Sequence, residues 1–285
     1  MGIDIDVAKF LVSARERKAN FQKTLMLGNQ QVHLLDYDYE ILGDVYDLGD
    51  FPRDKNTAKL FQFLGAEEVS AMDFSDYEGA AILHDLNEPV GDELKEKFTF
   101  VLDGGTIEHV FNFPVALRNA MEMTTIGGHL AIIAGGNNFL GHGFYQFSPE
   151  LFYRALSAEN GFRLVRMIAA EVGGRWFEVA DPKIIRGRVE LVNDKPIYLM
   201  VLAEKLERRA IFQTVPQQSD YVEMWNNGET TTETTVAAPS KLKNVLKKNR
   251  FVRQTLTGIR QKLAKSQLKN EKSFSNKRVY KLVDK

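Results

Sequence analysis

The sequence predicts an α/β fold with a doubly wound, mostly parallel sheet of about seven strands and helices on both faces. Short apolar runs typical of buried strands alternate along the chain with segments of helical periodicity, which is the pattern of parallel sheets. The 285 residues include 19 Phe, 9 Tyr and 2 Trp, and 44% are hydrophobic, so the chain can fill a large core. The chain has no cysteine, which excludes disulfides, thiolate metal sites and a cysteine nucleophile.

Seven apolar runs predict the strands: 24–28, 69–73, 80–84, 98–103, 129–134, 162–172 and 197–203. Most end in Gly, Asp, Asn or His, as buried strands do where they meet a turn. The last of them is expected to run antiparallel to the others. The segment 173–196 before it is expected to be a long excursion from the sheet.

Four segments have the apolar spacing or the cap residues of helices: 7–21, 57–64, 113–123 and 148–160. Gly65 and Gly161 follow two of them as stop signals, and proline stands in the first turn of the last two. The segment 31–55 carries no clear periodicity.

The formal net charge of −1 hides two oppositely charged parts. Residues 1–240 carry 22 basic and 36 acidic side chains, whereas residues 241–285 carry 15 basic and 2 acidic ones. The Thr-rich segment 228–240 has the composition of a linker. We therefore predict a body over 1–227, a linker, and a basic tail.

Apolar residues at helical spacing predict a basic amphipathic helix over 241–268. Such a helix is typical of binding to an anionic membrane surface or to a partner protein. Packing on the acidic body and a disordered tail are the alternatives. Nucleic acid is not expected as a partner, because the few aromatic residues there form no stacking platform.

The longest clean apolar run, 197–203, is far shorter than the roughly 20 residues that cross a bilayer. The first ten residues also lack the apolar core of a signal peptide. We therefore expect a cytoplasmic protein, with the tail as a possible peripheral contact with the inner face of the cell membrane.

Small or polar residues follow five predicted strands: Gly28-Asn29-Gln30, Asp73-Phe74-Ser75, His84-Asp85-Leu86-Asn87, Asp103-Gly104-Gly105 and Gly135-Gly136-Asn137-Asn138. In parallel sheets the ligand binds at the carboxyl ends of the strands, where a carboxylate can accept hydrogen bonds from a ribose. Turns favour the same residue types whatever the function. The agreement of five ends predicts a nucleoside-containing cofactor.

Several of these segments together resemble class I S-adenosylmethionine-dependent methyltransferases over roughly residues 20–210. FTFVLDGGTIEHVFNFP (98–114) resembles the family's fourth-strand segment, and TTIGGHLAI (124–132) resembles the turn before the fifth strand. Asp73-Phe74-Ser75 and His84-Asp85-Leu86-Asn87 are similar to the acidic motifs after the second and third strands. GHGFYQFSPELF (141–152) and PQQSDY (216–221) resemble a bacterial subgroup associated with surface-glycan gene clusters. The implied fold is Rossmann-like.

The resemblance implies S-adenosyl-L-methionine as cofactor and assigns eight residues to it: Gly28 and Asn29 beside the methionine part, Asp73 with Phe74 at the ribose, Asp85 and Leu86 at the adenine, and Asp103 and Gly104 as flanking residues. The family's first motif usually carries three glycines after an acidic residue, and here it is reduced to Gly28. Gly49, in the segment 46–50, is the alternative, but the apolar run before Gly28 makes the better strand. The reduced motif leaves open that cofactor binding is weak or lost.

His109 and His142 follow the fourth and fifth strands and are the candidate general bases. The alternatives are structural: the Glu108-His109 pair could anchor the following helix, and His142 could bond to its own loop. Asp103, Glu108 and His109 could hold a divalent metal, but their spacing is not diagnostic, so no metal is predicted.

The resemblance implies methyl transfer, most simply to a hydroxyl of a glycan, a sugar precursor or another small molecule. A dinucleotide oxidoreductase is an alternative, although the chain lacks G-x-G-x-x-G after a strand. The third hypothesis is a non-catalytic binding module that docks on membranes or partner enzymes through its basic tail. The reduced first motif is the main support for that hypothesis.

Overall fold

The computed structural model describes residues 2–46, 48, 51–53, 55–77, 79–227 and 271–283. Nine strands lie in this part of the chain: β1 Lys23–Leu27, β2 Glu68–Asp73, β3 Ile82–Leu83, β4 Phe98–Asp103, β5 Thr124–Gly135, β6 Phe162–Glu171, β7 Trp176–Val179, β8 Ile197–Lys205 and β9 Tyr280–Leu282. Its α-helices are α1 Ile5–Glu16, α2 Asp36–Tyr46, α3 Thr57–Leu64, α4 Phe113–Met123, α5 Pro149–Ala155, α6 Pro182–Ile185 and α7 Ser219–Asn227. Two 3₁₀ turns lie at Ile107–His109 and Ala158–Asn160.

The strands form one mixed sheet in the order β3-β2-β1-β4-β5-β8-β6-β7-β9. The first five strands are parallel. The strand β8 runs antiparallel to both of its neighbours, β5 and β6, as expected for the last strand of the body. The α/β class and the mostly parallel amino-terminal half are therefore confirmed, and the sheet has nine strands rather than about seven.

Helices cover both faces of this sheet, as predicted. Along β1, Leu25 and Leu27 point into one core while Met26 points into the other, because successive side chains of a strand face opposite sides. The first core contains the buried faces of α4 and α5, and the second contains those of α1, α2 and α3. The parallel strands are thus covered on both faces, as parallel sheets require.

Local signals account for several helix ends. The Asp4 carboxylate accepts the Val7 N–H at 3.0 Å and begins α1. Asn56 caps α3, and Gly65 ends it in the left-handed region at φ 108°. The predicted helix over 7–21 is wrong at its carboxyl end, since α1 stops at Glu16.

The segment 173–196, predicted as an excursion from the sheet, contains β7 and α6. The strand β9 pairs antiparallel with β7. Tyr280 is buried there, and Phe274 stacks on Phe177 with ring centroids 3.8 Å apart. The chain near residue 280 therefore belongs to the sheet of the body, which differs from the helical tail predicted over 241–285.

The predicted linker 228–240, the predicted helix 241–268 and the alternative glycine at position 49 lie outside the described residues. Among the helices that are described, none has both the length and the apolar character needed to cross a membrane.

Candidate functional site

The order of the strands creates a crevice between β1 and β4. The strand β1 lies between β2 and β4, and it is parallel to both. In chain order, β2 and β3 lie on one side of β1, whereas β4 and β5 lie on its other side. Ligands bind at the carboxyl ends of the strands where the order reverses in this way.

Two glycines face each other across this crevice, and a glutamine side chain fills the space between them. Gly28 has φ +70°, and a Cβ there would lie 2.8 Å from Thr106 Oγ1. A Cβ on Gly104 would lie 2.8 Å from Gln30 Oε1. A side chain at position 28 would be strained by the left-handed backbone and would crowd Thr106, whereas one at position 104 would have to displace the end of the Gln30 side chain. Asn29 is half-buried next to Gly28.

The Gln30 carboxamide is held at one end only. Its Nε2 donates to the Leu27 carbonyl at 2.9 Å, while its Oε1 is buried and has no hydrogen-bond partner among the described residues. A buried acceptor without a donor costs free energy of about 1–3 kcal/mol. A ligand that brings an N–H or ammonium group into the crevice would satisfy this oxygen.

The carboxylate of Asp73 lies at the neighbouring strand end. It is half-buried, and its Oδ1 accepts the Phe74 N–H at 2.6 Å. The Phe74 side chain is 74% exposed, so a large apolar surface borders this carboxylate. Asp73 and Phe74 thus have the accessibility that the predicted nucleoside contact needs.

The loop after β3 places Asp85 in a tight turn and buries Leu86. Asp85 Oδ1 accepts the Asn87 N–H at 2.9 Å and the Asn87 side-chain amide at 2.7 Å. These hydrogen bonds lower the pKa of the Asp85 carboxyl, so it stays ionised. The Leu86 side chain is buried in the core, so only its backbone can serve the predicted adenine contact.

The Asp103 carboxylate faces the chain rather than the crevice. It is fully buried, and its Oδ1 accepts the Thr106 N–H at 2.8 Å and the Ile107 N–H at 3.2 Å. Burial, followed by the nearby charge of Glu108, raises the pKa of Asp103 well above its usual range. Its visible role is to begin the 3₁₀ turn Ile107–His109, and a cofactor contact here would come from backbone.

That 3₁₀ turn brings three ionisable side chains together. One ligand atom from each of Glu108, His109 and His142 lies within 4.8 Å of the other two. The rings of His109 and His142 meet edge to face with centroids 4.9 Å apart, and His142 Nε2 lies 3.5 Å from Glu108 Oε1. The two histidines predicted from separate strands are thus neighbours.

Glu108 is the unusual member of this cluster. Its side chain is fully buried, and neither carboxylate oxygen has a partner with good hydrogen-bond geometry in the described part of the chain. Burial raises the pKa of Glu108 to about 7. The backbone N–H groups of Glu108 and Gly135 lie near the carboxylate and lower its pKa, but by less than burial raises it. Burial also lowers the pKa of both histidines, and for His109 the neighbouring His142 lowers it further. Both imidazoles are therefore neutral at neutral pH.

The loop after β5 is fixed over Glu108 by backbone bonds. The Glu108 carbonyl accepts the N–H groups of Phe144 and Tyr145 at 2.8 and 3.3 Å. Gly143 passes so close, with φ +76°, that a Cβ would lie 2.8 Å from the same carbonyl oxygen. The Tyr145 hydroxyl donates to the Phe111 carbonyl at 2.7 Å. These contacts hold His142 beside Glu108.

Exposed apolar side chains border the cluster. Phe111 and Phe144 are 72% and 67% exposed, and their rings meet edge to face at 5.9 Å. Leu140, in the same loop as His142, is 91% exposed. Ligand sites are commonly lined by apolar and aromatic side chains around a few polar groups.

Two residues at this edge are not among the predicted site residues. Gln30 stands at a strand end, as the sequence shows, but its position between two glycines depends on the pairing of β1 with β4. Glu108 adjoins His109 in sequence, but its complete burial depends on the loop that comes from β5.

No family model matches the chain, and no curated protein matches it. Solved structures similar to it include 1,6-didemethyltoxoflavin-N1-methyltransferase from Burkholderia thailandensis, with bound 1,6-didemethyltoxoflavin and S-adenosylhomocysteine. That protein is 15% identical, the match covers 71% of this chain and 78% of that one, and the TM-score is 0.40.

Two further solved structures are also similar to the chain. The branched-chain polyamine synthase from Thermus thermophilus, in complex with N4-aminopropylspermidine and 5'-methylthioadenosine, is 14% identical over 73% of this chain and 58% of that one, with a TM-score of 0.38. TehB from Haemophilus influenzae is 14% identical over 69% of this chain and 62% of that one, with a TM-score of 0.39. The chain thus spans less than two thirds of these two proteins. Similarity at this level does not identify a function.

Proposed function

We propose that the chain is an S-adenosylmethionine-dependent methyltransferase that acts on a small molecule. The main support is the division of the sheet edge into two halves on either side of the crevice. Asp73 and Asp85 follow β2 and β3 on one side, and the histidine cluster follows β4 and β5 on the other. With strands about 4.8 Å apart, the ends of β2 and β5 are separated by roughly 14 Å. That distance suits a cofactor with a nucleoside at one end and its reacting group at the other.

The residues of the crevice fit this cofactor. Asp73 would accept hydrogen bonds from the ribose hydroxyls, with Phe74 beside it, and the loop of Asp85 would meet the adenine. The unpartnered Gln30 Oε1 would accept from the ammonium group of the methionine part, across from Gly104. When bound, S-adenosylmethionine supplies a methyl group already activated by the sulfonium.

The histidines would serve the acceptor. A neutral imidazole can take the proton of a hydroxyl that becomes the nucleophile, and both histidines have a lowered pKa. The exposed Phe111 and Phe144 would hold the body of the acceptor. A sugar or glycan precursor as that acceptor is a finer proposal, which rests on the sequence resemblance alone.

The direct test is isothermal titration calorimetry of the whole chain with S-adenosylmethionine, S-adenosylhomocysteine and NAD⁺. We expect the first two to bind and NAD⁺ not to bind. Asp73→Asn should weaken S-adenosylhomocysteine binding about tenfold or more, because a hydrogen bond to a charged group contributes about 1.5–3 kcal/mol. Asp76→Asn, which makes the same charge change at an exposed position three residues later, is the matched control.

Three other outcomes of these titrations would contradict the proposal. Binding of NAD⁺ alone would favour an oxidoreductase. Failure of all three ligands to bind would favour the non-catalytic module. Equal effects of Asp73→Asn and Asp76→Asn would show that the ribose is bound elsewhere.

The binding of the segment 241–268 to an anionic membrane or a partner remains a proposal from its charge and apolar spacing. Cosedimentation with anionic vesicles at low and high salt tests it. Binding that high salt does not weaken, or no binding at all, would argue against an electrostatic membrane contact.

A further inference from the structure

We infer that Glu108, His109 and His142 form a binding site for a divalent transition-metal ion. The three side chains come from two loops that meet only in the folded protein, and they present one carboxylate and two imidazoles to the same point. This replaces the expectation that the edge holds no metal. The ligand set also differs from the one considered from the sequence, because His142 replaces Asp103 as the third ligand.

The donor atoms are already close to the separations that an ion imposes. Two ligands at about 2.0–2.1 Å from a tetrahedral ion lie roughly 3.3 Å apart. His142 Nε2 and Glu108 Oε1 lie 3.5 Å apart, and all three ligand atoms fall within 4.8 Å of one another. Small side-chain rotations, chiefly of the exposed His109, would complete the geometry.

Buried polar atoms without hydrogen-bond partners are a second, independent indication of a ligand. Both oxygens of the fully buried Glu108 and the Nε2 of His142 have no hydrogen-bond partner among the described residues. Buried polar groups are normally satisfied, and a buried carboxylate without a partner is particularly costly. One cation would satisfy all of these atoms together.

The surroundings fix the ligands in advance. Backbone bonds from Phe144 and Tyr145 to the Glu108 carbonyl hold the β5 loop in place, so the ion would not need to order it. Asp103, fully buried at the start of the same turn, accepts the Thr106 and Ile107 N–H groups and so fixes the turn that carries Glu108 and His109.

The donor set selects the type of ion. Two imidazoles with one carboxylate suit zinc, iron and neighbouring first-row metals, whereas magnesium and calcium prefer oxygen ligands. Three protein ligands leave a coordination position open on the exposed side of His109. If the proposed methyl transfer holds, an acceptor hydroxyl would bind there, have its pKa lowered and lose its proton to bulk water. The histidines would then act as ligands rather than as bases.

The test uses the whole chain without an affinity tag, freed of metals by a chelator and then titrated with Zn²⁺. We expect one strong site per chain, a visible Co²⁺ spectrum typical of nitrogen and oxygen ligands, and far weaker binding of Mg²⁺. Loss of an outer-shell partner costs roughly 10–100-fold in metal affinity. Loss of a direct ligand in Glu108→Gln, His109→Ala or His142→Ala should therefore weaken binding about 100-fold or more.

His84→Ala is the matched control, because His84 also follows a strand but bonds to the Glu88 carbonyl away from the cluster. Zinc affinity that is equal in the wild type and in all three ligand variants would overturn the inference, as would the absence of a strong site. Far-ultraviolet circular dichroism of each metal-free variant separates loss of a ligand from loss of fold. S-adenosylhomocysteine binding, measured on the same metal-free wild type, shows whether the cofactor proposal stands when the metal inference fails.

Discussion

Asn119, on the buried face of α4, supports the loop that carries Asp85. Its Oδ1 accepts the Val90 N–H at 3.0 Å, and its Nδ2 donates to the Glu88 carbonyl at 2.8 Å. We predict that Asn119→Ala lowers the free energy of unfolding by about 3 kcal/mol and weakens S-adenosylhomocysteine binding about tenfold.

The magnitude follows from the groups that the change leaves behind. Val90 is 4% exposed, so its N–H would lose its acceptor in a place that water reaches poorly. The Glu88 carbonyl keeps a neighbour, since His84 Nε2 lies 2.9 Å away. One orphaned amide costs about 1–3 kcal/mol, and removing a buried side chain adds a cavity of similar cost. At roughly 2–4 °C per kcal/mol, the melting temperature should fall by about 6–12 °C.

Guanidinium denaturation measures the stability, and calorimetry measures the affinity. Asn112→Ala is the control, because Asn112 bonds the same loop through Asn87 but is exposed, so its loss should cost less than about 1 kcal/mol. Equal losses in the two variants would refute the argument from burial. A full loss of stability with unchanged affinity would show that the Asp85 loop does not contact the ligand.

Two further predictions test the crevice and the ninth strand. Gly104→Ala should weaken S-adenosylhomocysteine binding at least tenfold with little loss of stability, because its Cβ would push against the flexible end of Gln30. Gly141→Ala, with open space around it, is the control in the same calorimetry, and equal affinities would place the cofactor elsewhere. Tyr280→Ala should cost about 3–5 kcal/mol in guanidinium denaturation, because the ring is fully buried. Leu282→Ala, at a position 42% exposed, should cost about 1 kcal/mol or less. A loss for Tyr280→Ala that is as small as this would show that β9 does not stabilise the body.

The sequence predicted most of the parallel half of the sheet, because its signals there are local. The helix over 57–64 and the strand over 98–103 are confirmed residue for residue. The first has a cap on each side, and the second is an apolar run, interrupted only by Thr99, that ends in fully buried residues. The strand β9 was not predicted, because it is a three-residue edge strand within a strongly basic segment and its stability comes from pairing with β7 and from the burial of Tyr280.

The predictions for the candidate site rest on similarly local signals. Position after a strand identifies Asp73, His109 and His142, since parallel strands bring their carboxyl ends to one edge. Position cannot show which way a side chain turns, and Asp103 and Glu108 demonstrate this. Asp103 is the last residue of β4 and Glu108 lies five residues later, but the Asp103 carboxylate bonds to its own turn while the Glu108 carboxylate has no hydrogen-bond partner among the described residues.

The placement of that unpartnered carboxylate is itself an argument for function at this edge. Two acidic side chains, Asp103 and Glu108, are fully buried near each other, and each keeps at least one oxygen without a hydrogen bond in the described part of the chain. Asp103 offsets part of this cost by accepting two N–H groups of the 3₁₀ turn, whereas Glu108 makes no such bond. An apolar residue of similar size would relieve the cost at Glu108, so stability does not account for the presence of that carboxylate. The cost falls beside two neutral histidines and next to the crevice where the strand order reverses. Unfavourable features such as unpartnered buried polar groups concentrate at functional sites in natural proteins. The Glu108 carboxylate lies where a cation, or the proton of an acceptor, would satisfy it.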